Sequence, residues 1–298
     1  TSNQWLMKHA GFILFDAFSR FLSMLPKRAM YSFADLLFLV GYYLLGYRKK
    51  VVFENLRNAF PEQSGREIRK TARRFYKHLS DVMIEDVAML HMSSKRLNQF
   101  VSVKDLDLLD ALYQRNKNVM GILGHYGNWE LLTTIPLHTS YTILTVYKPL
   151  KNQFFDRKIY EMRRRFDEIP IPMRQAYKSI AQYQKKDQPY IVGMVADQSP
   201  PKSGRNYRTT FLNQETLFFL GSEKIARKFN HTVIFPAVKK IKRGSYEIRF
   251  RLLIENAAET KETEITEKYV RALEDLIREN PEYWLWSHRR WKHTRDND

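Results

Sequence analysis

By residue type, His125 and Glu130 are the best candidates in this chain for moving a proton. They lie in Gly124-His125-Tyr126-Gly127-Asn128-Trp129-Glu130, between a short apolar run and a helical pattern. On one continuous helix an offset of five would not put them on a common face, because surface neighbours are three or four residues apart. With Asn128 as a helix N-cap, His125 falls in the preceding loop and Glu130 in the first turn. Gly127 then permits a bend that folds the imidazole back onto the carboxylate. A carboxylate bonded to one ring nitrogen fixes the tautomer and stabilises the imidazolium, while the other nitrogen takes a proton from an attacking hydroxyl. The chain contains no Gly-x-Ser-x-Gly elbow and no cysteine, so no protein nucleophile is evident. The expected chemistry is direct attack by an alcohol on an activated carbonyl. A thioester suits best, because its thiolate leaves readily. Taken alone the spacing is weak, since His after a strand and Glu in a first helical turn are common structural residues.

Other groups are candidates for holding substrate. Gly127 and Asn128 are expected beside the reacting atoms, with main-chain amides at the helix start as donors to an oxyanion. Arg163, Arg164 and Arg165 are expected to hold phosphate through forked hydrogen bonds, or else to form a solvated helix face. Asp197 and Gln198 follow an apparent strand, where ligand sites in α/β sheets often lie, and would position the acceptor or brace the catalytic loop. Arg205, with Lys202 and Arg208, makes a basic loop that either touches phosphate or is simply exposed. The remaining histidines considered, His9, His78, His91, His138 and His231, lack metal-ligand spacing, so neither a metal nor a bound cofactor is expected.

The elements that must position these groups change character along the chain. Residues 5–25 read as a helix with one narrow polar stripe. Residues 29–47 are apolar and nearly long enough to span a bilayer, but Asp35 interrupts them and basic residues flank both ends. A helical hairpin in or on a membrane is the favoured expectation, ahead of buried core helices or a true span. Helical patterns follow at 66–90 and 105–113. Short apolar runs at 119–124, 142–146, 190–196 and 232–238 read as buried strands, and 246–253 alternates like a half-exposed antiparallel one. Between and after them lie helical patterns at 128–137, 153–165, 175–185, 215–229 and 263–279. That alternation implies an α/β fold with a mostly parallel or mixed central sheet flanked by helices. The division expected is 1–50, membrane-associating helices, and 51–298, one catalytic α/β domain.

Composition narrows the partners. A formal charge of +18 favours anionic surfaces, and 14% aromatic residues tilt that choice toward a membrane interface. Nucleic acid is not expected, because no recognised module accompanies the aromatic, basic end. The lack of cysteine excludes disulfides and thiolate metal sites. No cleavable secretory signal is evident, which makes a cytosol-facing protein the expectation.

Several blocks carry a resemblance. The His-x4-Glu block resembles that of the glycerolipid acyltransferase superfamily, and Gly-His-x-Gly-Asn-Trp-Glu in particular is similar to the bacterial late acyltransferases of lipid A biosynthesis. Asn55-Leu56-Arg57-Asn58-Ala59-Phe60-Pro61, Val195-Ala196-Asp197-Gln198 and Pro281 to Trp291 look like further blocks of that family. Arg163-Arg164-Arg165-Phe166 does too, although Asp167 stands where the family usually has Gly. The resemblance runs from about residue 10 to residue 293. It implies a glycerol-3-phosphate acyltransferase-like fold, with His125 and Glu130 catalytic. It implies an acyl chain delivered as a phosphopantetheine thioester on acyl carrier protein, and an anionic lipid A precursor whose hydroxyl accepts it. The expected location is the cytoplasmic face of the inner membrane, peripheral or N-terminally anchored. Two alternatives stay open: another glycolipid or aminolipid acceptor, or a non-catalytic membrane-binding scaffold.

Overall fold

The computed structural model describes residues 2–200 and 206–292, the side chains of residues 2–9 excepted. In chain order its elements are α1 (Ser2–Met24), α2 (Lys27–Phe38), α3 (Lys49–Ala59), α4 (Gly65–Met89), α5 (Ser94–Leu97), β1 (Val101–Val103), α6 (Leu106–Gln114), β2 (Val119–Leu123), β3 (Thr142–Tyr147), α7 (Gln153–Arg165), β4 (Glu168–Pro172), α8 (Ala176–Tyr183), β5 (Tyr190–Val195), β6 (Asn206–Phe211), β7 (Gln214–Phe219), α9 (Gly221–Phe229), β8 (Thr232–Lys242), β9 (Ser245–Ile254) and α10 (Glu264–Glu279). A π-helical turn, Leu39–Leu44, prolongs α2, and a 3-10 helix, Trp129–Leu137, follows β2.

Seven strands form one sheet in the order β1-β9-β8-β2-β5-β3-β4, and β6 and β7 form a separate hairpin. Neighbours in the large sheet run parallel except β8 and β9. This is the expected α/β fold. Every residue of β2 is buried, as a central parallel strand with both faces covered requires. Side chains alternate between faces, so two cores form. Met120 and Ile122 face α10 and the C-terminal tryptophans, whereas Val119 shares the other face with Ile143, Ile191, Leu131 and Ile135.

Helix α4 matters most for the site. A capping box of Ser64 and Glu67 starts it, with the Ser64 amide donating to Glu67 Oε2 at 2.8 Å. Its buried face then carries His78, Asp81 and Glu85 inward. In α10, Ile265, Tyr269, Val270, Leu273, Leu276 and Ile277 recur at helical spacing and are all buried.

The N-terminal elements leave apolar side chains in solvent. Ile13, Leu14 and Met24 on α1 and Leu44 and Leu45 at the end of the π turn are each about 70% exposed or more (69%, 70%, 75%, 77% and 75%). No single helix among the described residues is long and apolar enough to cross a membrane. Lys27–Leu44 and Lys49–Ala59 reach that length only together, with an 88° bend between them.

The structure revises several sequence expectations. Residues 29–47 are not one regular helix, because α2 passes into the π turn at Leu39. The pattern read as a helix over 215–229 is β7 followed by α9. The helix α3 and strands β1, β4 and β6 were not anticipated.

Candidate active site

His125 and Asp197 meet because of sheet register. Leu123 on β2 pairs with Val195 on β5, and the Ala196 amide donates to the Leu123 carbonyl at 2.9 Å. Each chain then runs two residues beyond its strand, which brings His125 and Asp197 together at the carboxyl ends of adjacent parallel strands, where ligands bind in open α/β sheets. His125 Nδ1 donates to Asp197 Oδ1 at 2.6 Å, and the His125 main-chain amide donates to Oδ2 at 2.8 Å. Trp284 Nε1 donates to the same Oδ2, also at 2.8 Å.

Their charges are set by this contact. Burial acts against the imidazolium, yet the adjacent Asp197 carboxylate outweighs it and raises the His125 pKa above its ordinary value. Burial likewise opposes ionised Asp197, but His125 and the donors around it lower its pKa to about 2. With Nδ1–H committed to Asp197, the neutral ring presents Nε2 as the base. Nε2 lies 3.3 Å from the Gln198 amide nitrogen. The ring also packs edge-on against Trp129, with centroids 4.9 Å apart.

Glu130 is not the carboxylate bonded to His125. One terminal nitrogen of Arg163 sits between its two oxygens, at 3.1 and 2.9 Å. This departs from the expectation drawn from the five-residue spacing. The segment after Asn128 is a tight 3-10 helix, and Glu130 on it faces α7 instead of the loop carrying His125. On its other side Arg163 approaches Glu168 at 4.0 Å, and Glu168 accepts from Thr145 Oγ1 at 2.9 Å and Thr133 Oγ1 at 3.2 Å. Burial raises the Glu168 pKa to about 7 despite Arg163. Burial opposes the Arg163 cation, but Glu130 and Glu168 raise its pKa.

The other predicted site residues are dispersed. Gly127 donates its amide to the Tyr283 carbonyl at 3.0 Å, so that N–H is not free for an oxyanion, and its own carbonyl is 3.2 Å from His78 Nε2. Asn128 is fully buried and its side chain caps no helix; its amide donates to Glu85 Oε2 at 2.8 Å. Arg165 donates to the carbonyls of Met89 and Leu90, both at 2.8 Å, and so closes the end of α4. Arg164 is exposed. Lys202 and Arg205 lie outside the described residues, and Arg208 pairs with Glu215.

Two contributions were missed by sequence reasoning. Glu85 and His78 on α4 fix the loop from one side. The C-terminal segment fixes it from the other, through Leu285 N to His125 O at 3.1 Å, Tyr126 bridged to Trp284, and the Trp284 bond to Asp197. Asn55 in turn donates to the carbonyls of Trp286 and His288, at 2.9 and 3.0 Å, which joins two of the sequence blocks.

Beside His125 a cavity of about 350 Å3 opens between the sheet and the layer made by the 3-10 helix and α7. Its lining includes the exposed Gln198 and Lys148 and the half-buried His125 and Trp129. Arg163, Glu130 and Glu168 form one polar stretch of wall, and most of the remainder is aliphatic, including Leu123, Ile135, Ile143, Ile191, Val195 and Ile234. Gly127, Asn128, Arg164 and Arg165 are not part of its lining.

The sheet thus ends in a histidine–carboxylate pair beside a largely apolar cavity, and no serine or cysteine is among the described residues that line it, so the group presented there is an imidazole nitrogen able to take a proton. The chain matches the family of bacterial lipid A biosynthesis acyltransferases over residues 3–293, and it belongs to that family. It is therefore an enzyme of the acyltransferase class, and the family implies a lipid A precursor as acceptor. No curated protein matches it.

Proposed function

We propose that this chain transfers a fatty acyl group from an acyl carrier protein thioester to a hydroxyl of a lipid A precursor, as a late acylation. The observation that carries this reading is the His125–Asp197 pair opening onto an apolar cavity. His125 Nε2 removes the proton from the acceptor hydroxyl as its oxygen attacks the thioester carbonyl. Asp197 holds the ring in that tautomer and stabilises the imidazolium that forms. The tetrahedral oxyanion develops beside Arg163, whose cation Glu130 keeps in place. Collapse breaks the carbon–sulfur bond, and the departing thiolate takes the proton back from His125. No covalent acyl-enzyme is formed. Glu130 thus acts through Arg163, in place of the role expected for it as the partner of His125.

The net charge of +18 suits both an acidic carrier protein and a phosphorylated lipid. The exposed apolar residues of α1, α2 and the π turn suit seating in the cytoplasmic leaflet of the inner membrane without a span.

The direct test is incubation of the purified chain with a labelled acyl carrier protein thioester and a lipid A precursor, followed by mass analysis. One added acyl chain, absent with His125→Ala, is the expected result. Full transfer by the His125→Ala variant would remove the proposal.

A further inference from the structure

We infer that Gly121 and Gly193 set the length of acyl chain the cavity accepts; this rests on the acyl-transfer reading above. The two glycines are direct partners in the β2–β5 register, and both line the cavity. On either side of them in the same row stand Thr145 on β3 and Ile234 on β8. Glycine is disfavoured inside strands, and two side by side at the centre of a parallel sheet require a reason.

Backbone conformation is not that reason, since neither glycine has a positive φ. Nor does packed protein fill the place of their missing side chains. A Cβ on Gly193 would meet nothing nearer than the Leu144 carbonyl oxygen at 3.9 Å, and one on Gly121 would meet Pro236 Cγ at 3.4 Å. The space above the pair is therefore part of the cavity. Side chains there would project from the floor and close its inner end.

The depth of the row sets a length. Gly121 lies four residues before His125, about 13 Å along the strand. A zig-zag hydrocarbon with bonds of about 1.5 Å at about 111° advances roughly 1.25 Å per carbon, so about ten carbons reach the glycine row. The next row inward, two residues and about 7 Å deeper, carries Ile143 and Ile191, which also line the cavity. Less about 3.5 Å for van der Waals contact with these isoleucines, the roughly 20 Å from His125 to their row leaves room for a straight saturated chain of about fourteen carbons, which passes the glycines.

The test uses Gly193→Val, with Gly193→Ala and Gly121→Ala as milder variants that retain the fold if the valine does not. Saturated fatty acids of about eight to sixteen carbons are titrated against the fluorescence of Trp129, which lines the cavity beside His125, and transfer is assayed from the matching carrier protein thioesters. In the unaltered protein, affinity and transfer are expected to rise with length to about fourteen carbons. In Gly193→Val the optimum moves to about ten carbons or fewer, with roughly a hundredfold loss at fourteen and little change at eight. The alanine variants shift the optimum in the same direction by less. Transfer that keeps the original length profile in all three variants would overturn the inference and leave the acyltransferase reading intact. Length-dependent binding that the variants shorten, in a protein that transfers nothing, would instead sink the reading and leave the length gate standing.

Discussion

Asp197 grips His125 at two points, the imidazole Nδ1–H through Oδ1 at 2.6 Å and the main-chain amide through Oδ2 at 2.8 Å. One carboxylate thus fixes both the tautomer of the ring and the backbone that presents it. Replacing it with Asn keeps the shape and offers an amide nitrogen where an acceptor is needed, so the ring is free to adopt the wrong tautomer. Asp197→Asn is expected to lower kcat by about 10^3-fold or more, while His125→Ala abolishes turnover.

The same pair sets the acid limb of the pH profile. His125 must be neutral to act as a base, and its pKa is raised. The rate should therefore climb with pH through a midpoint above the ordinary imidazole value of about 6.5. In Asp197→Asn the main raising influence is gone and burial is opposed only by Glu130, so the midpoint moves to lower pH. Glu130→Gln removes only a lesser influence on His125, and its midpoint should move less than that of Asp197→Asn. A kcat/KM profile of the three proteins checks the ordering. A larger displacement from Glu130→Gln would restore Glu130 as the principal partner.

Arg163 is a cation largely withdrawn from solvent, its side chain 13% exposed. It lies between Glu130 and Glu168, and its replacement by Met leaves two acidic groups in the wall without their cation. Arg163→Met should cost about 3–5 kcal/mol of stability, readable by urea denaturation. In the double variant Glu130→Gln, Arg163→Met the cost should fall below the sum of the single changes. Additive costs would mean the two side chains do not act as a pair.

Gly127 adopts φ +63°, and a Cβ there would stand 2.2 Å from the Val238 carbonyl oxygen. Gly127→Ala therefore combines left-handed backbone strain with a main-chain clash that no side chain can relieve. It should destabilise the protein by more than about 2 kcal/mol and displace His125. A denaturation midpoint within error of the parent would refute this.

The sheet was legible in the sequence where strands are mainly apolar runs, as in β2, β3, β5 and β8, because burial on both faces leaves few polar interruptions. β4 was not, since Glu-Ile-Pro-Ile-Pro carries two prolines and a carboxylate. It fits only at the sheet edge, where missing N–H donors are tolerated. The usual Gly after Phe166 also has a physical meaning here, because Asp167 holds φ +63°. At the site, a five-residue spacing suggested a local pair, whereas the carboxylate on His125 lies 72 residues away. A signal for it existed. Two expected strands each end with a chemically active residue just beyond them, His125 and Asp197, and parallel neighbours bring such ends together. The grips of Glu85 on Asn128 and Trp284 on Asp197 left no such signal, because they depend on how α4 and the C-terminal segment pack over the loop.

Glu168 gives the stability of the protein a distinctive pH dependence. Buried in the cavity wall, it holds its proton up to about pH 7, while in the unfolded chain it releases it near the ordinary value of 4.5. Between these limits the folded state binds more protons than the unfolded one, so this residue makes stability fall as pH rises from 4.5 to about 7. The shift corresponds to a loss on the order of 3 kcal/mol across that window. Glu168→Gln keeps the shape, carries no proton to lose, and leaves Arg163 paired with Glu130 alone. Its denaturation midpoint should accordingly rise relative to the parent as pH increases from 5 to 8. Parallel curves for the two proteins over that range would show that Glu168 is already ionised at pH 5, held so by Arg163 and the two threonine hydroxyls.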